Sequence, residues 1–370
     1  MASPDLALIA TQVAWLAFAL GVVFGAVAQH SHFCTMGAVA DIVTMGDWNR
    51  MRLWLLAIAT AVIGTNLLSY FDIIDLSKSL YTTSRLTWLS NLTGGALFGF
   101  GMVLASGCGS KTLIRIGGGN LKSLVVFLVL GLSAFMTLKG VLAIPRVVLL
   151  EPIAVTLPTT QDLPSLAAAW LGNKHALQLL IAAGVSALIL WFVFASPSFR
   201  TAGNVFAGIV IGGVIVAAWF VSGKLGYVAE DPNTLQEAFV ATNSGKMESF
   251  TFVAPFAYTL DLLMMWTDKS KAVSFGIAAT LGMIAGSAVY ALASRSFRWE
   301  GFRGIEDTVN HLIGAALMGF GGVVALGCTI GQGLSGVSTL SLGSMLTFAA
   351  IIVGAIAAFK YQMWRLERGV

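Results

Sequence analysis

Nine apolar stretches alternate with short polar segments along the chain, at 6–29, 51–70, 92–106, 121–138, 176–194, 201–222, 273–293, 309–327 and 340–359. A hydrocarbon core about 30 Å thick is crossed by a helix of about 20 such residues. The pattern therefore predicts nine membrane-crossing helices. The third and eighth stretches are short, and each runs into a Gly-Cys pair, Gly107-Cys108 and Gly327-Cys328. A tenth apolar piece, 250–266, is interrupted by Pro255 and carries Asp261, which predicts a half-helix that dips into the bilayer and returns. Segment 143–174 carries no assignable motif and is expected to form amphipathic surface helices or partner contacts.

Composition removes the soluble alternatives. Hydrophobic residues make up 57% of the 370, charged ones 10%, and mean hydropathy is +0.86. Soluble globular chains carry about 25% charged residues. Buried fraction rises too slowly with size for a soluble fold to hide this much apolar surface. The N-terminus lacks the positive flank of a signal peptide, and its apolar stretch is too long for one, so it reads as the first span. Three scattered Cys without a Cys-x-x-Cys pair argue against a disulfide framework or a zinc ribbon. With the N-terminus outside and nine crossings, 12 of the 21 basic residues lie inside, and the acidic residues divide 6 inside to 11 outside. That bias favours a periplasmic N-terminus and a cytoplasmic C-terminus.

An internal repeat is visible. Gly99, Phe100, Gly101, Val103, Ala105, Gly107 and Cys108 recur 220 residues later as Gly319, Phe320, Gly321, Val323, Ala325, Gly327 and Cys328. A fainter copy places Gly25 nine residues before Cys34, and a fourth opens at Gly208 with Ala217 at the Cys position. The Cys108 and Cys328 copies cross in opposite directions, the signature of an inverted pair with a site near the bilayer midplane. The expected fold is thus an all-α polytopic membrane protein, one domain over 1–370. It has about nine transmembrane helices plus re-entrant half-helices, and inverted pseudo-repeats at 1–173 and 174–370.

Each Cys sits where an apolar helix meets a flexible break: HSHFCTMG, SGCGSKT and GCTIGQG. Backbone N–H groups freed there, with the next helix N-terminus, offer an anion site, and broken backbone is tolerated at membrane depth only around protein or water. A thiol in apolar surroundings keeps its proton. It can then meet a soft sulfur atom without repelling an anion. Free Cys also packs as a small inert hydrophobe, and that alternative stands beside the first. Lys111 could lend charge to an anion near Cys108, or simply anchor a helix at the interface. Gln332 is costly inside a membrane without a partner and is expected to line a path. His30, His32, Cys34 and Met36 together resemble a soft-metal cluster, with interfacial hydrogen bonding as the alternative for the His residues. The Gly117–Gly119 run lacks the strand and Lys-Ser/Thr of a phosphate loop. No Ser-His-Asp order or carboxylate pair marks an enzyme, and no cofactor is expected.

The blocks HSHFCTMGAVADIVTMGD, GFGMVLASGCGSKTLIRIGGGN and GFGGVVALGCTIGQGLSGVSTLSLGS resemble the signature segments of the YeeE/YedE sulfur-transport family, and the resemblance spans nearly the whole chain. It implies a nine-span, two-lobed bacterial inner-membrane protein that takes up thiosulfate or a related small sulfur anion. Its path would be lined by Cys34, Cys108 and Cys328, which pass the ion by hydrogen bonding, with Lys111, Gln332 and His32 as further path residues. A cytoplasmic sulfurtransferase, rhodanese-like or TusA-like, would draw product away. Two rivals remain at this stage: a soft-metal permease built on the His/Cys/Met cluster, and a membrane thiol redox protein.

Overall fold

None of the nine apolar runs contains proline, and polar residues stand ready to cap several of them. Asn120, Asn173, Thr201 and Ser274 each accept a backbone N–H from three residues on, at 2.9, 3.3, 3.4 and 3.4 Å, satisfying a donor that the helix itself cannot. The computed structural model describes residues 4–232, 235–268 and 271–368. In chain order it contains α1 (Pro4–His30), α2 (Thr35–Met45), α3 (Asn49–Tyr70), α4 (Trp88–Leu104), α5 (Gly109–Gly117) and α6 (Leu121–Lys139). A single turn, α7 (Ala143–Pro145), and α8 (Leu163–Leu171) occupy the unassigned stretch. The second half holds α9 (Lys174–Phe194), α10 (Ala202–Phe220), α11 (Val253–Met264), α12 (Phe275–Ala293), α13 (Ile305–Val324) and α14 (Leu342–Arg368). Two-residue strands form only small antiparallel clips, Arg85–Leu86 with Val155–Thr156 and Tyr227–Val228 with Ala238–Phe239.

Among the described residues, eight helical stretches are long and apolar enough to cross a bilayer. Two of them, Leu6–Met45 and Trp88–Gly117, are each a long helix followed by a half-helix. The ninth expected span is α13, whose first turns carry Glu306, Asp307, Asn310 and His311 and dilute its hydropathy. The protein is an all-α polytopic membrane protein. Its outer face carries Trp15, Leu132, Leu188, Trp191, Val289 and Val353, all well exposed, where lipid would lie. The expected half-helix at 250–266 is α11. The fourth copy of the repeat departs from expectation, because α10 runs unbroken through Ala217 and continues as a π-helical turn, Val221–Leu225.

Glycine contacts hold the bundle together. A Cβ on Gly94 would lie 2.7 Å from both Gly321 O and Ala325 N, and a Cβ on Gly314 would lie 2.5 Å from Gly101 O and 2.6 Å from Ala105 N. These are one contact seen twice, since 94, 101 and 105 become 314, 321 and 325 on adding the repeat offset. Helices α4 and α13 therefore cross antiparallel through a self-complementary patch. A second pair is parallel: Gly21 and Gly25 of α1 face the backbone of α12, and Gly282 and Gly286 of α12 face that of α1. Close backbone approach through small residues is how membrane helices associate when lipid removes the hydrophobic drive.

Adding one methyl at this crossing forces backbone apart, at a typical overpacking cost of about 1–3 kcal/mol. Gly94→Ala and Gly314→Ala are expected to lower the unfolding midpoint in detergent. Gly184→Ala, with no atom within 4 Å of the added carbon, is expected to leave it unchanged or slightly raised.

Candidate functional site

Three helices end in the same way. The residue two before each Cys adopts a left-handed conformation, with φ of 51° at His32, 55° at Ser106 and 57° at Leu326. The next residue then donates its N–H back five positions: Phe33 to Ala28 O at 3.0 Å, Gly107 to Met102 O at 2.8 Å, and Gly327 to Gly322 O at 2.8 Å. This closes α1, α4 and α13 by a Schellman-type turn. A left-handed residue other than Gly costs about 1–2 kcal/mol, and the fold accepts that cost at the same place three times.

Each Cys then begins a new half-helix. Cys34 caps α2, and Cys108 caps α5. Cys328 opens a segment with a π-helical turn at Gly331–Gly336. That segment is pinned by Asn66 Nδ2 on Ser338 O at 3.0 Å, by Trp219 Nε1 on Ser338 Oγ at 3.0 Å, and by Ser335 Oγ on Phe250 O at 2.7 Å. The fourth half-helix, α11, is capped by Phe252, whose backbone N–H points to the Cys328 sulfur. Four half-helix N-termini thus meet inside the protein, three with a thiol at the cap.

The thiols form one cluster, and all three are free and buried. The Cys34 and Cys108 thiols are neighbours. Cys34 Sγ accepts from Gly37 N, and Cys328 Sγ from Gly331 N, both at 3.4 Å, while Cys108 Sγ meets Ser110 Oγ at 3.2 Å. Thr329 Oγ1 lies on the Cys108 side of the cluster without closing a hydrogen bond to a sulfur. Yet Thr35 Oγ1 and Thr329 Oγ1, both buried, have no hydrogen-bond partner among the described residues. A buried hydroxyl is ordinarily paired, so these two are left able to bond a polar group placed beside the sulfurs. In the sequence these hydroxyls are marked only by the Cys-Thr dipeptide, at 34–35 and again at 328–329, a pair too short to stand out beside the glycine pattern.

Cavities open at both ends of the cluster. One, of about 270 Å³, is lined by His32, Cys34, Met36, Gly37, Arg50, Lys111 and Arg115. Gly37 lets the Arg50 guanidinium lie close over the turn, since a Cβ there would sit 2.7 Å from Arg50 Nη1. Arg50 also pairs with Asp41 at 3.2 Å, and Arg115 donates to Ser106 O at 2.7 Å. The other cavity, about 170 Å³, is lined by Tyr81, Arg146, Glu248, Thr251 and Gly327 among others. Gln332 is buried next to the thiols; its amide nitrogen donates to Ala325 O and its Oε1 has no partner. Of the expected site residues, Cys34, Lys111 and His32 thus share one cavity wall, while Cys108, Cys328 and Gln332 are buried and line neither cavity. His30 separates from them, bonded to Tyr290 OH at 2.7 Å. The soft-metal cluster is therefore divided, and what remains of it faces three cationic side chains, an unfavourable seat for a metal cation. Asp261, an acidic residue close to an apolar segment, is paired with Lys271.

A sequence profile described as "Sulphur transport" matches residues 30–357. The chain belongs to this family. The chain is similar to a protein of Escherichia coli (strain K12) named thiosulfate transporter TsuA, 27% identical over 345 residues that span 91% of each chain. A second, from Spirochaeta thermophila and also named thiosulfate transporter TsuA, is 27% identical over 355 residues, 92% of this chain and 96% of that one. Family membership accords with a multi-pass membrane protein that transports.

If the orphan hydroxyls serve a guest, removing them does not harm the empty protein. Thr35→Val and Thr329→Val preserve shape and delete an unpaired buried hydroxyl, so the unfolding midpoint is expected to hold or rise. A clear fall in thermal scans would mean that these hydroxyls have structural partners instead.

Proposed function

We propose that the chain carries thiosulfate, or a closely related sulfur anion, from the periplasm to the cytoplasm across the bacterial inner membrane. The reading rests above all on one observation: three free, buried thiols and two unpaired threonine hydroxyls cluster at facing helix N-termini, between two cavities. The names of both relatives, thiosulfate transporters, support the choice of anion.

The chemistry follows from the groups present. Helix N-termini carry about half a positive charge each, together with outward-pointing N–H donors. These receive the hard oxygens of the anion, along with the hydroxyls of Thr35 and Thr329. Cys34 and Cys328 accept N–H bonds on sulfur, which leaves each S–H free to donate to the soft terminal sulfur. The ion passes Cys328, Cys108 and Cys34 in turn with no bond made or broken. Gln332 supplies an amide along the way, and His32, Arg50, Lys111 and Arg115 form a cationic inner mouth that draws the anion off. Basic bias supports placing this mouth in the cytoplasm, with the N-terminus periplasmic and the C-terminus cytoplasmic. A sulfurtransferase of the rhodanese-like or TusA-like kind, docking there, would keep the inner concentration low. The two halves of the relay correspond to pseudo-repeats 1–173 and 174–370.

Uptake of labelled thiosulfate into proteoliposomes tests the reading. A hydrogen bond to a charged group is worth about 1.5–3 kcal/mol, so each of Cys34→Ala, Cys108→Ala and Cys328→Ala is expected to slow uptake about 10- to 100-fold. No covalent adduct is expected by mass spectrometry. Undiminished uptake in the triple variant would sink the relay.

A further inference from the structure

The cavity beyond Cys328 holds a carboxylic acid that an anion path has no obvious use for. Glu248 lines it, together with Tyr81, Arg146, Ser244, Ser249, Thr251 and Tyr258. The route from there to the thiols is short. Tyr81 OH and Thr251 Oγ1 both crowd Gly331, where a Cβ would lie 3.3 and 2.5 Å from them, and Gly331 N is the donor to the Cys328 sulfur. Any anion approaching Cys328 from this side passes the Glu248 carboxyl. A carboxylate there would repel a dianion across a space with little screening.

The structure leaves Glu248 without the usual remedy. Its Oε1 accepts from Ser244 N at 3.0 Å and from Ser244 Oγ, both uncharged donors. Its backbone is held by Ser222, with Glu248 N donating to Ser222 Oγ at 3.2 Å. Among the described residues no ion pair involves it, although Arg146 lines the same cavity, paired with Glu151 at 2.9 Å and with its Nε buried and unpartnered. The other titratable groups facing it are Tyr81 from the segment before α4 and Tyr258 from α11, both neutral phenols. Beyond Tyr258 lie Lys139 and the Asp261–Lys271 pair, in a neighbouring cavity. Burial pushes the Glu248 carboxyl above its ordinary range, against the donors from Ser244 and Asn243 that favour its ionised form.

We propose that the outer cavity is a binding site for the incoming divalent sulfur anion together with a proton, the anion held by the Arg146 guanidinium that lines the cavity and the proton carried on Glu248. The inference rests on the transport reading above. Protonated Glu248 is neutral and turns from repelling the anion to offering it an O–H donor. Ionised Glu248 closes the site. The proton comes from the outer solution and returns to it when the site empties inward, so no proton crosses with the ion.

The sign is fixed by a carboxyl whose protonated form is the competent one. Uptake falls as outer pH rises through its raised titration point, approaching tenfold per pH unit above it. Thiosulfate keeps both charges throughout, so the substrate does not contribute. The test is initial thiosulfate uptake into proteoliposomes at outer pH 5.5 to 8, with inner pH fixed and the membrane potential clamped. The wild type is expected to lose most of its rate between the ends of this range. Glu248→Gln, a permanent mimic of the protonated form, is expected to run at the acid-side rate at every pH. Glu248→Asp is expected to keep a pH dependence with a shifted midpoint, and it carries the test if the Gln variant does not fold. A flat wild-type profile overturns the inference while leaving the transport reading intact, as does a Gln variant that keeps the wild-type slope or is folded but inactive. A wild-type protein that moves no thiosulfate at any pH instead overturns the transport reading.

Discussion

A helix that ends inside a bilayer leaves up to four backbone N–H groups without partners, in a medium that supplies none. The rest of this structure depends on how that constraint is met. Four half-helices start at membrane depth, and their N-termini are turned toward one another rather than toward lipid. Ser, Thr or Asp at the cap would satisfy those donors strongly, and Asp would add negative charge. Cys does neither: its sulfur accepts a long N–H bond of 3.4 Å at Gly37 and Gly331 and stays uncharged. A weak cap leaves the N–H groups partly available. That availability, with two unpaired threonine hydroxyls, makes the meeting point receptive to an anion.

Pseudo-symmetry explains how one chain builds such a point. The reciprocal contact of Gly94 with Gly321 and of Gly314 with Gly101 fixes α4 against α13. It thereby sets Cys108 near Thr329, at the start of the half-helix that Cys328 opens. The symmetry is broken at the fourth terminus, where Phe252 replaces a thiol and packs against Phe24 and Phe250. The two ends differ as well. Three basic side chains and His32 surround one mouth, while a single acid, an arginine and two phenols line the other.

Much of this was legible in the sequence. Apolar runs free of proline placed the spans to within a few residues, because membrane helices answer mainly to hydropathy. The 220-residue repeat carries the glycines through which α4 and α13 meet, because glycines that enable close approach must recur wherever the contact recurs. Other features were not legible. Ala217 stood in register with the thiols, yet helix α10 carries on through it, since nothing in its neighbourhood supplies the left-handed stop seen at His32, Ser106 and Leu326. His30 looked equivalent to His32 but turns to Tyr290, a partner 260 residues distant. Glu248 sits in a polar loop with no motif, and only the fold carries it over the thiols. Pairings across such separations leave no local trace.

The central claim is that the thiol cluster recognises the soft end of the ion. Anomalous diffraction from crystals grown with selenosulfate, in which selenium stands at the terminal sulfur position, measures this most directly. The account predicts a selenium peak in contact with the sulfurs of Cys34, Cys108 or Cys328, its oxygens turned toward Thr35, Thr329 and the helix N-termini. A peak confined to the protein surface, or oxygens against the thiols with selenium pointing away, would contradict it.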